Sequence, residues 1–265
     1  MVYSDFTLER LTTNFGVDFQ GARLFSQAVP IEPSAWLAET ISVANETGFG
    51  SEKSRSERIV SPVLVEVARR NNYQFAIISG GNLDVEPALG LNGECDFVFT
   101  LAHLQDFIKA PVFCITEAKK QDTDQGIIQC AAQLIGAARL NEREKRHIPT
   151  LYGCSTTGVE WRFLRFENNT FVLDEVRYLI NEPTKLLGVL QQIVDWQLAA
   201  LSEKLGAGLL PYPTQPLLQF PQAALDAPER LGQLVVGGGG AETEAGGRAK
   251  RVAAHGRHEG VAQQV

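Results

Sequence analysis

The chain has 265 residues, 44% of them hydrophobic, enough to bury a sizeable core in one main domain. Its 24 Lys and Arg against 31 Asp and Glu leave a net charge of -7, which argues against a protein that coats nucleic acid through its overall field and confines any phosphate contact to a local site. No stretch nears the roughly 20 apolar residues of a membrane span, and the opening MVYSDFTLER lacks a basic segment followed by an apolar one, so the reading is a cytoplasmic protein with no membrane partner.

Residues 33–46, PSAWLAETISVANE, space Trp36, Leu37, Ile41 and Val43 at roughly helical intervals behind a Pro-Ser start, which predicts a first helix. In SEKSRSERIVSPVLVEVARRNN, residues Ile59, Val60, Val63, Leu64 and Val67 fall on one face and predict a second, longer helix, bent near Pro62. QFAIIS, residues 74–79, is short, aromatic and β-branched, and two glycines close it, as expected of a strand. CDFVFTL and PVFCIT are two further strands whose short connection makes them neighbours in one sheet.

A helix is predicted over about 124–140, with Ile127, Ile128, Ala131, Leu134, Ile135 and Ala138 as its apolar stripe. TLYGCST resumes as a strand, and the alternation in EWRFLRF and TFVLDEV around Asn168 and Asn169 predicts a hairpin. A last long helix runs from 183 to about 204. Together these predict an α/β domain over residues 1–205 with an N-terminal helical extension: a central mixed sheet with helices on both faces. Residues 206–236 are proline-rich and read as a linker, and 237–265 carry almost no large apolar residue and read as a disordered tail.

Cys95, Cys114, Cys130 and Cys154 are widely spread with no CxxC pair, so they are expected to be buried reduced thiols acting as small hydrophobes, not zinc ligands. The stretch CITEAKKQD holds the chemistry: the apolar strand ends in Glu117 and Lys119, two residues apart and so expected on one face. Asp96, at the start of the preceding strand, can meet Glu117 at one edge of the sheet. Two converging carboxylates repel, and a divalent cation between them relieves this; an oxygen-only ligand set favours Mg²⁺, or Mn²⁺. Lys119 beside such a cation would hold or deprotonate a water and offset charge developing on a phosphate. Gln129 and Gln133 lie one turn apart on the following helix, beside its apolar stripe.

SERIVSPVLVEV, GLNGECDFVF, PVFCITEAKK and GIIQCAAQLIGA, in that order, resemble the PD-(D/E)xK nuclease superfamily over about two-thirds of the chain. The likeness is nearest to small uncharacterised bacterial members and more distant to the nuclease domains of type I restriction subunits. It implies a restriction-endonuclease-like core, with Asp96, Glu117, Lys119 and Gln129 as catalytic residues. It also implies Glu57 beside Asp96 and Glu117 as metal ligands, with Glu66 as the alternative on the same helix. Cys95 stands where a Pro often precedes the motif Asp, a Pro that many members lack, and Gln133 stands where one subgroup has a Tyr, a departure from the exonuclease-type members that leaves the metal site intact.

The expected function is Mg²⁺-dependent hydrolysis of phosphodiester bonds in nucleic acid, DNA foremost. The alternative is a non-catalytic module of the same fold that binds nucleic acid or protein, and a homodimer is an open option for assembly. RLNEREKRH, residues 139–147, reads as a solvated face compensated by Glu142 and Glu144 more than as a phosphate-contacting edge. Trp161 and Phe163, alternating with Arg162 and Arg165, read as core at least as well as a base-stacking surface.

Overall fold

A computed structural model of the protein describes residues 1–102, 107–119, 123–146 and 148–205, with side chains through 200. The linker and tail expected over 206–265, and His147 of the basic run, lie outside the described residues.

The extension before the first predicted helix holds both a helix and a strand. Thr7 caps α1 (Leu8–Phe15) by accepting from the Arg10 amide, and Gly16 ends it at φ 63, a left-handed conformation that glycine adopts without strain. β1 (Asp18–Ala22) follows and lies at one edge of the sheet, parallel to β7.

Ser34 caps α2 (Ala35–Thr47) through the Leu37 amide. The predicted second helix is a continuous helical run in three parts: α3 (Glu52–Arg55), a wider π turn (Ser56–Val60) and α4 (Ser61–Arg70). Pro62 has no N–H to donate to the carbonyl four residues back, and just before it the Ser61 amide donates to Ser56, five residues back. The expected bend therefore takes the form of an added residue in the turn. Ile59, Val60, Val63, Leu64 and Val67 are fully buried, as their spacing predicts.

β2 (Ala76–Asn82), β3 (Glu94–Thr100) and β4 (Val112–Ala118) form an antiparallel meander. The two glycines expected to close the first of these lie inside it, since β2 runs on through Gly80 and Gly81 to Asn82. α5 (Thr123–Arg143) then crosses to β5 (Thr150–Thr156), which runs parallel to β4. β6 (Glu160–Glu167) and β7 (Thr170–Leu179) are the predicted hairpin. Asn168 and Asn169 sit at φ 47 and 61, the positive pair that a tight two-residue turn needs. α6 (Pro183–Leu205) closes the described chain.

The seven strands form one mixed sheet in the order β1-β7-β6-β5-β4-β3-β2. Residues of α2, α4 and α6 bury against one face, around Phe97, Phe99, Phe113, Trp161 and Phe163. Those of α1 and α5 bury against the other, around Val98, Val112, Ile115, Leu151 and Leu164. All four cysteines are free and buried, and Trp161 and Phe163 are core residues. Of the basic run, Arg139 pairs with Glu86 at 2.5 Å and Arg143 donates to the Val85 carbonyl at 3.3 Å, so both are tied to the fold.

Candidate active site

β4 carries a buried carboxylate one residue before its end. Glu117 is 2% exposed, and burial of an ionisable group is tolerated only when its oxygens are met. Here they are met from three sides. Lys119 Nζ donates to Oε1 at 2.7 Å, Gln129 Nε2 donates to the same oxygen at 2.5 Å, and Gln133 Nε2 donates to Oε2 at 2.8 Å. The two glutamines are four residues apart on α5, so both amides hang from one stripe of the helix onto the end of β4. Gln133, wholly buried, also reaches the Glu94 carbonyl at 3.3 Å.

Asp96 stands beside Glu117 just past the end of the β3–β4 ladder, whose last paired residues are Phe97 and Thr116. Its Oδ2 accepts the Ala118 amide at 2.7 Å, and its carboxyl group lies within hydrogen-bonding reach of that of Glu117. Lys119 lies just past the strand, where its amide donates to the Thr156 carbonyl at 2.7 Å and prolongs the β4–β5 pairing. Asp96, Glu117, Lys119 and Gln129, the residues singled out in the sequence, are thus brought together.

The electrostatics follow from burial and from the second carboxylate. Burial, and then Asp96, push Glu117 up to about 7, against the opposing pull of Lys119 and Gln133. Burial also raises Asp96, and Glu52 adds to the rise, while the Ala118 amide and Lys119 oppose it. Burial works to lower Lys119, but Glu117, Asp96 and Glu52 outweigh it and hold the ammonium above its ordinary value. Both carboxyl groups are thus held above their ordinary values, and the ammonium of Lys119 is favoured.

Asp96 opens on a cleft of about 490 Å³ whose lining includes Glu52, Lys53, Glu57, Glu94 and Gly80. Glu57 reaches this cleft, but its side chain is 61% exposed and pairs with Lys53 at 3.8 Å. The helical carboxylate whose charge is felt at both Asp96 and Lys119 is Glu52. The sequence reading missed it because the helical phase set by the stripe from Ile59 to Val67 does not extrapolate back through a π turn, which inserts a residue and rotates everything before it. Among the described residues no three His, Cys, Asp or Glu side chains converge closely enough to hold a metal together. The Asp96–Glu117 pair alone still fits the habit of Mg²⁺, which takes one or two carboxylates and completes its shell with water and substrate phosphate.

No protein-family model, curated protein or solved structure matches the chain. The functional reading therefore stands on the residues themselves.

Glu66, the other acid considered on this helix, has a different task. It is 2% exposed, accepts from the Ser34 amide at 3.1 Å and hydroxyl at 2.8 Å, and pairs with Arg70 at 2.8 Å. Burial opposes its ionisation, but these bonds prevail and hold it below the usual carboxylate value. It locks the start of α2 onto α4. Glu66→Ala should lower stability by about 1–3 kcal/mol at neutral pH in urea melts, with Mg²⁺ affinity unchanged. In the parent protein the same contribution should fade as pH falls through the depressed Glu66 value, because protonation removes the acceptor.

Proposed function

We propose that the chain is a divalent-cation-dependent nuclease with a restriction-endonuclease-like core, hydrolysing phosphodiester bonds of nucleic acid, DNA foremost. The observation that carries this reading is the meeting of Asp96 and Glu117 on adjacent strands, with Lys119 on Glu117 and two glutamines fixing its carboxylate. The mixed sheet with helices on both faces agrees with the fold the resemblance implies.

Asp96 and Glu117 would hold the cation, Mg²⁺ or Mn²⁺. When bound, it supplies Lewis-acid stabilisation of charge on the phosphate. Gln129 and Gln133 keep the Glu117 carboxylate from rotating, so its oxygens stay aimed while substrate arrives. Lys119, held protonated by its acidic neighbours, serves as a donor to an attacking water or a phosphoryl oxygen and not as a base. The buried side of the site keeps these groups in a low-dielectric setting, where the Lys119 charge acts strongly.

The experiment that tests this is calorimetric titration of Mg²⁺ into the wild type and Asp96→Asn: binding is expected in the first and loss in the second. Equal affinity in both would remove Asp96 from the site.

The third acid is assigned to Glu52. Glu52→Gln should weaken Mg²⁺ binding by roughly 10-fold or more, whereas Glu57→Gln, with its exposed side chain, should change it little. The reverse order in the same titration would return the role to Glu57.

A further inference from the structure

The register of the sheet draws a line of polar side chains across four strands. Glu117 on β4 pairs with Ser155 on β5, Ser155 with Arg162 on β6, and Arg162 with Arg177 on β7. Two strand spacings, roughly 10 Å, separate Glu117 from Arg162. The line lies near the carboxyl ends of the parallel strands β4 and β5, the edge where open α/β sheets commonly seat ligands.

Arg162 is 9% exposed and its Nε has no hydrogen-bond partner among the described residues. Its cross-strand neighbour is a second guanidinium, and like charges so placed are unfavourable. Burial, then Arg177, depress the proton affinity of Arg162, as expected of two cations held together. Carboxylates keep them there. Arg162 Nη1 donates to Asp124, in the first turn of α5, and Arg177 Nη1 donates to Glu160 at 2.8 Å. Asp124 is 74% exposed, so a surface carboxylate caps a buried guanidinium. Carboxylate and phosphate meet the guanidinium fork in the same geometry, and Asp124 occupies a position that a phosphate oxygen can take.

We propose that Arg162 and Arg177 form a phosphate anchor, which grips a backbone phosphate of the nucleic-acid strand near the bond to be cut, in exchange for Asp124. The anchor explains how a chain of net charge -7 engages a polyanion, by one local pair of cations beside an acidic cleft. It rests on the nuclease reading above.

The test is fluorescence anisotropy of a labelled 5′-hydroxyl DNA, single-stranded and duplex, binding to full-length protein with Ca²⁺ in place of Mg²⁺. Arg162→Met and Arg177→Met are each expected to weaken binding by about 10-fold and to lower the slope of log affinity against log salt by about one. Asp124→Asn is expected to tighten binding several-fold, and Mg²⁺ affinity by calorimetry should be unchanged in all three. Asp124 and Arg177 are exposed, so those variants keep the test decisive if Arg162→Met fails to fold. DNA binding by the wild type with the same affinity in Arg177→Met and Asp124→Asn would overturn the anchor and leave the nuclease reading standing. No binding of either DNA by the wild type would overturn both.

Discussion

Lys119→Met should lower the cleavage rate by about 10²–10³-fold while the protein still folds. The ammonium sits at the end of β4 with a fifth of its side chain in solvent, so its removal opens no cavity in the core. Its backbone bond to Thr156 does not depend on the side chain. What is lost is the cation that, among the described residues, touches Glu117, and with it the donor proposed for the attacking water or the phosphoryl oxygen. Single-turnover cleavage read beside a thermal melt separates the two effects. Substantial activity in a folded Lys119→Met protein would reject the role, and a collapsed melt would make Lys119 a structural residue.

Glu117→Gln should abolish both Mg²⁺ binding and cleavage, and should also change how the metal-free protein responds to pH. A buried carboxyl raised from its ordinary 4.5 to about 7 binds a proton more tightly in the folded state than in the unfolded one. Folding stability therefore falls as pH rises through that window, and does not recover above it, by about 3 kcal/mol for this group. Glutamine has nothing to titrate, so Glu117→Gln should be nearly flat across the window and more stable than the wild type at about pH 8 without metal. Added Mg²⁺ should restore the wild type at that pH and leave the variant unmoved, because the cation binds the ionised, folded form. Urea melts at about pH 5 and pH 8, with and without Mg²⁺, read all four states. A wild type whose metal-free stability rises over that interval would refute the raised Glu117 carboxyl.

The parts of the fold legible in the sequence are those where one apolar period runs uninterrupted. The stripe from Ile59 to Val67, the strands ending in Thr100 and Ala118, and the long helix carrying Ile127 to Leu140 all have it. Glu117 and Lys119 stood out in the sequence through their context, two charges at the end of an apolar run with Asp96 on the strand before it, because the Glu-x-Lys spacing alone is common. β1 was not readable: DFQGA is only partly buried, has no alternation, and forms because β7 offers it an edge. Glu52 was hidden by the π turn. Gln133 was noted in the sequence as lying one turn from Gln129, but its bond to Glu117 Oε2 is set by the depth at which α5 packs and by no local pattern. Arg162 carried no signal beyond its alternation with Trp161 and Phe163, since its alignment with Glu117 depends on the pairing of three strands.

The most direct measurement of the central claim is a cleavage assay on single-stranded, duplex and branched DNA and on RNA, with Mg²⁺, with Mn²⁺ and with chelator, using wild type and Asp96→Asn side by side. The site described here predicts cation-dependent cutting of at least one DNA form by the wild type and none by Asp96→Asn. Folded wild-type protein that cuts no substrate, or cutting that persists in chelator or in Asp96→Asn, would contradict it.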